Sequence, residues 1–272
     1  MNPGILTVYR WELRKLLSQK RTYLGLAFAA GMPLIFVTVV AIRNQGPQDV
    51  PFGRYVLESG LAVPLVLLTF GAYWLFPLVT ALVAGDIFAA EDHNGTLKTI
   101  LTRSLDRGQV FAGKALVAVT YAVVAILLNG AVAVAAGSLV SGFKPLTTLS
   151  GTKVSAPSAL GLIGASLLVY LLPILALACI GLLLSTITRN SAAAVVGTLM
   201  FSLMMQLIGV LPGLGGTRPY LLSSQFDAWE GLLRQPVDWA PIGHAAWVCA
   251  LWVAPALIAA YLVFLRRDVA GG

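Results

Sequence analysis

Six apolar runs govern what this chain can fold into: about 23–42, 61–85, 115–140, 158–184, 192–211 and 243–265. Each approaches or exceeds the roughly 20 residues that cross a bilayer as a helix. Hydrocarbon offers no water to the backbone, so runs of this length fold as helices whose N–H and C=O groups bond within the segment. The expected fold is all-α, a single transmembrane domain over 1–272 with six transmembrane helices. Pro33, Pro64, Pro77, Pro173 and Pro255 lie inside the runs, where membrane helices accommodate proline as kinks. The second and third runs are rich in Gly and Ala, which favours close helix packing.

Charge is scarce and unevenly placed. Charged residues make up 11% of the chain, against about 25% in soluble domains. The net charge of +7 sits beside the apolar runs, so membrane orientation accounts for it before nucleic acid does. One side of the predicted topology holds Arg10, Arg14, Lys15, Lys20, Arg21, Lys98, Arg103, Arg107, Lys114, Arg189, Arg266 and Arg267. The other holds Arg43, Arg54, Lys144, Lys153, Arg218 and Arg234. Twelve against six predicts that both termini are cytoplasmic. The stretch 212–242 then becomes an external loop. Leu222, Phe226, Trp229 and Leu233 recur within it at helical spacing, so a segment dipping back into the interface and a plain loop both stay open.

Residues 5–21 read as an amphipathic interfacial helix. Leu6, Tyr9, Leu13, Leu16 and Leu17 gather on one side, Glu12, Lys15 and Gln19 on the other, and Arg10, Arg14 and Lys20 can snorkel at the boundary. A signal peptide would carry a shorter apolar core and a small-residue cleavage site, neither of which is evident.

Between the second and third runs lies a polar island, Glu91 to Lys114, on the predicted cytoplasmic side. Asn94-Gly95 reads as a turn, and Thr96 can cap a short helix with Leu97, Ile100 and Leu101 on one face. A short helix with an apolar ridge and a charged flank, held outside the bilayer by two spans, suits docking on a soluble partner.

Other chemistry is thin. Gly108 to Ala115 has the spacing of a phosphate-binding P-loop, but Ala115 replaces the magnesium-binding hydroxyl and no strand precedes it. Asn94-Gly95-Thr96 is a glycosylation sequon on the wrong predicted side. His93 and His244 stand far apart without Cys or carboxylate neighbours at ligand spacing, so no metal site is expected. Cys179 and Cys249 lie in apolar runs and read as small buried hydrophobes. None of the runs as drawn contains Asp, Glu, Lys or Arg; Asp86 sits at the ragged end of the second. Ion-coupled transporters and intramembrane enzymes need ionisable or polar groups at depth. Asn129 and Gln206 are the main strongly polar side chains there, and for them bonding between helices and contact with a substrate are both open.

Several stretches together resemble the type-2 ABC transporter permeases. Glu91, Gly95-Thr96-Leu97, Leu101-Thr102-Arg103-Ser104, Arg107 and Gly113-Lys114 look like that family's cytoplasmic signature. Arg10-Trp11-Glu12-Leu13-Arg14-Lys15 looks like its connecting helix, and Leu182 to Ala192 like its turn between spans four and five. Leu105-Asp106 departs from the proline that often follows the serine. The resemblance implies a prokaryotic plasma-membrane permease, an exporter, that pairs with a second copy or a paralogue above two ABC ATP-binding subunits. ATP and magnesium would sit on those subunits; this chain would bind no cofactor and no nucleic acid, only lipid and its protein partners. Residues 88–114 would form the coupling segment. Leu97, Ile100 and Leu101 would fill a groove on the ATPase, oriented by Glu91, Arg103 and Arg107, while Arg10, Glu12, Arg14 and Lys15 would serve the connecting helix. A secondary transporter and an intramembrane enzyme are the rival classes.

Overall fold

The computed structural model describes residues 4–93, 106–213 and 215–266. Apart from one antiparallel pair of two-residue strands, β1 (Leu146–Thr147) and β2 (Lys153–Val154), the regular structure among them is helical. The helices are α1 (Ile5–Leu17), α2 (Lys20–Arg43), α3 (Ala62–Tyr73), α4 (Leu75–Ala84), α5 (Ala89–His93), α6 (Arg107–Ser141), α7 (Ala156–Thr188), α8 (Ser191–Val210) and α9 (Ala240–Leu265). Short 3-10 segments occupy Gly53–Tyr55, Arg218–Tyr220 and Ser223–Leu233. Five helices (α2, α6, α7, α8 and α9) are long and apolar enough to cross a membrane, and the bent pair α3–α4 makes a sixth span if counted as one.

That pair is the second apolar run, and the sequence alone does not show its break. The axes of α3 and α4 diverge by 59° at Trp74. Pro77 has no N–H to offer the carbonyl of Tyr73, and the bend also frees the carbonyl of Ala72. Gln206 on α8 serves both: its Nε2 donates to the Ala72 oxygen at 3.1 Å and to the Tyr73 oxygen at 3.3 Å. The same device recurs in the first span. Pro33 leaves the carbonyl of Ala29 without its helical donor, and Asn129 Nδ2 on α6 donates to it at 2.8 Å. Each deep amide thus closes a gap that a proline opens on a neighbouring helix.

Helix ends follow local chemistry. The Asp106 carboxylate accepts from Gly108 N at 3.0 Å and starts α6, and Asn190 Oδ1 accepts from Ala193 N at 3.1 Å and starts α8. α7 ends where Arg189 turns left-handed. One end of the bundle, here the island end, gathers α1, α5, the start of α6 and the finish of α9. The opposite, hairpin end carries β1–β2 and the 3-10 segments. At 1.5 Å per residue α6 and α7 are about 52 and 50 Å long, well beyond a hydrocarbon core of about 30 Å.

The hairpin end is capped by packing. Within Ser223–Leu233, Phe226, Trp229, Leu232 and Leu233 are buried; Phe226 meets Tyr170 of α7 edge-on at 5.1 Å, and Trp229 lies 6.2 Å from Phe52. Leu149 N donates to the Leu233 oxygen at 3.0 Å, fastening the β-hairpin to this segment. The stretch expected as an external loop therefore contains a folded, largely buried segment, set by its Leu, Phe and Trp spacing. Beside it the turn leading into α3 touches α6 backbone to backbone: a Cβ on Gly60 would sit 2.2 Å from the Gly137 carbonyl oxygen, so only glycine fits.

Candidate functional site: a buried charge joint at the island end

Three helices meet at Lys114. This residue lies two turns into α6, where the chain enters its apolar run, and its side chain is fully buried. Isolated in an apolar setting, an ammonium would be strongly penalised, but two carboxylates reach it. Glu12 Oε2 of α1 lies 2.9 Å from Lys114 Nζ, and Glu91 Oε1 of α5 lies 2.7 Å from it. Lys15, one turn beyond Glu12 on α1, also pairs with Glu91. The set holds two cations and two anions, so it is neutral overall. The Phe88 ring stands 5.8 Å from Lys114 Nζ, and Phe88, Phe111 and Phe264 pack together at 5.1–5.9 Å. Burial alone would raise the Glu91 carboxyl, but Lys114 and then Lys15 outweigh it and hold the group below its ordinary range.

α1 is oriented by this joint. Its Glu12 and Lys15 turn toward the bundle, while Leu6, Trp11 and Leu17 stay exposed. Gly113 permits the approach, since a Cβ there would stand 2.7 Å from Val8 Cγ1. Tyr9 and Thr120 hydroxyls share a hydrogen bond at 3.0 Å.

A second pairing lies alongside. Asp86, at the end of the second span, pairs with Arg21 of α2 and accepts from the Ser191 hydroxyl of α8. Ser185 Oγ of α7 accepts from Phe88 N at 3.1 Å and Ala89 N at 3.0 Å, fixing the entry to α5. A cleft of about 30 Å³, room for roughly one water, runs between the two pairings and is lined by Glu12, Arg21, Asp86 and Glu91.

The residues singled out in the sequence separate into five groups. Glu12, Lys15 and Glu91 come together in the joint, whereas Arg10 and Arg14 lie on the exposed side of α1. Arg107 opens α6, and its Nη1 donates to the Leu265 carbonyl at 2.5 Å, closing the end of α9. Gly95, Thr96, Leu97, Ile100, Leu101 and Arg103 lie outside the described residues. Asn129 and Gln206 make the interhelical bonds given above. Lys114 and Asp86 were noted in the sequence without partners, and Arg21, Ser185 and Ser191 without a role. The available signal was one lone base opening an apolar run and one lone acid closing another, both of which need partners. The P-loop-like stretch Gly108–Ala115 is continuous helix, with its lysine consumed by the joint.

An all-helical chain with five or six candidate spans and buried ion pairs gathered at one end is a multi-pass membrane protein. It belongs to the ABC-2 family of transporter membrane proteins: the family described as ABC-2 family transporter protein matches residues 9–209, from α1 to within a residue of the end of α8. Permeases of this family lack an ATPase domain of their own and generally pair with ATP-binding subunits. A comparison with curated proteins gives no match.

Proposed function

We propose that this chain is the permease subunit of an ATP-driven exporter. It forms the translocation path as a dimer, with a second copy or a paralogue, above two separate ATP-binding subunits. The termini and the island face the cytoplasm of a prokaryotic cell, and Leu97, Ile100 and Leu101 dock on the ATPase. The observation that carries this reading is the joint at Lys114. A force applied at the island or at α1 reaches Glu91 or Glu12 directly, and both are fastened to the same ammonium at the foot of α6. Closure of the ATPase subunits would move the island, and the joint would pass that movement to α6 without slack.

The test is to purify the complex through a tag on this chain and measure retained ATPase and ATP-dependent transport. Leu101→Asp puts a charge into an apolar contact, where a buried unpaired charge costs several kcal/mol. The expected result is loss of the ATPase, or loss of coupling, with normal membrane insertion. Lys98→Ala, which the sequence pattern assigns to the charged flank, should do much less. Full complex and full transport with Leu101→Asp would end the docking reading. The isolated chain should show no magnesium-dependent ATP turnover, and an adjacent gene encoding an ATPase with a complete P-loop would supply the partner.

A further inference from the structure

A cavity of about 390 Å³ lies between the break in the second span, the end of α8 and the Ser223–Leu233 segment. Much of its wall is apolar, from Tyr73, Leu207, Val210 and Phe226. Among the described residues that line it, Asp227 is the carboxylate, and none is Lys, Arg or His. No salt bridge among the described residues engages Asp227; Arg234, the nearest base in sequence, pairs with Asp238 instead. The Thr69 hydroxyl, at the α3 wall, is buried without a hydrogen-bond partner among the described residues.

Asp227 also lines a second cavity, of about 280 Å³, toward the far side of the same segment. There the base His244 is already engaged, its Nε2 lying 2.8 Å from the Pro219 carbonyl. Arg234 also lines this smaller cavity, but its salt bridge is to Asp238, and none among the described residues reaches Asp227. Packing around the carboxyl pushes it up from its ordinary value, with burial as the cause. A carboxylate that is partly desolvated and uncompensated by the protein is complemented by a positive charge from outside.

We infer that the larger cavity binds an amphipathic cation, an apolar body carrying one basic or quaternary nitrogen, with the body against Tyr73, Leu207 and Phe226 and the charge on Asp227. An anion of the same shape meets repulsion, and a neutral one leaves the carboxylate without a partner. Tyr73 and Phe226 add ring faces that favour a quaternary nitrogen. The break at Trp74 makes the site, because it splays α3 from α4 and turns Tyr73 outward, half exposed. The inference rests on the permease reading for what such binding serves.

The test uses the full chain in lipid nanodiscs, with two probes of one shape and opposite charge, tetraphenylphosphonium and tetraphenylborate, and empty nanodiscs subtracted. Saturable binding is expected for the phosphonium and not for the borate. Asp227→Asn, nearly the same size, should weaken phosphonium binding by about tenfold or more. Asp227→Glu should retain it, and Glu230→Gln, which lines only the smaller cavity beside Asp227, should weaken it far less than Asp227→Asn. Equal binding of the borate, undiminished binding by Asp227→Asn, or equal loss in Asp227→Asn and Asp227→Glu would overturn the inference. ATP-dependent transport together with any of those results would leave the permease reading standing. Asp227-dependent binding without ATP-linked transport would do the reverse.

Discussion

The most informative side chains are two amides and one ammonium. Asn129 stabilises the first span only because Pro33 withholds a donor from Ala29. Asn129→Leu should therefore destabilise the protein by about 1–3 kcal/mol, the usual penalty for stranding a buried backbone acceptor. Pro33→Ala restores an N–H to that carbonyl, so the same Asn129→Leu change should cost clearly less in that background. Unfolding midpoints of the four proteins in mild detergent give the coupling directly. Lys114→Met leaves Glu12 and Glu91 facing each other without their shared cation, a loss of about 3–5 kcal/mol. The joint's response to pH follows from the lowered carboxyl of Glu91. Its folded value lies below the unfolded one, so the stabilisation is complete above the ordinary 4.5 and is lost as pH falls through the depressed value. The difference in melting temperature between the native chain and Glu91→Gln should stay flat across neutral pH and shrink only in acid.

Helices were legible where composition alone decides. Runs such as 115–140 and 158–184 have no choice in hydrocarbon, and they lie within α6 and α7. The break in 61–85 was not legible, because Tyr73 and Trp74 continue the apolar pattern and Pro77 is one of five prolines inside runs. What distinguishes Pro77 is Gln206, over a hundred residues away, and a local pattern cannot pair them. The joint was half legible. Glu12, Lys15 and Glu91 stand in recognisable segments, but Lys114 presented itself as part of a false phosphate motif. Its role depends on three helices meeting. The folded segment Ser223–Leu233 showed only as helical spacing of large apolar residues, and its depth depends on Tyr170 and Phe52. The α3–α6 crossing offers a test at this scale. Gly137→Val would push a branched side chain against the Gly60 carbonyl, which a Cβ at 137 already approaches to 2.4 Å. The expected outcome is low yield and a lowered melting temperature, with Ala substitution at exposed Gly161 as the harmless control.

Across the whole molecule, the two ends differ in kind. Buried ion pairs beside an aromatic cluster hold the island end, whereas the other is held by aromatic packing and the β-hairpin, with an exposed Arg234–Asp238 pair. The proposed orientation puts the ionic end in the cytoplasm, in keeping with twelve of the eighteen Lys and Arg residues. Reporter fusions after Asn94 and after Gly272 should read cytoplasmic, and one at Gln48 external. An external signal at Asn94 would reverse the topology and remove the island from any ATPase. The long helices α6 and α7 carry the connection between the ends, each running unbroken from the ionic region to the aromatic cap.

The bond from Asn129 to Ala29 also sets an order of manufacture. A ribosome delivers the chain from its first residue, so the first span leaves it a hundred residues before the amide that completes it. For that interval a backbone acceptor stands open, and in hydrocarbon such a group costs several kcal/mol. The newborn first span is thus an unfinished part until the third arrives. A transcript cut within the island would yield a fragment that inserts and then persists poorly, because its missing donor lies on the half never made.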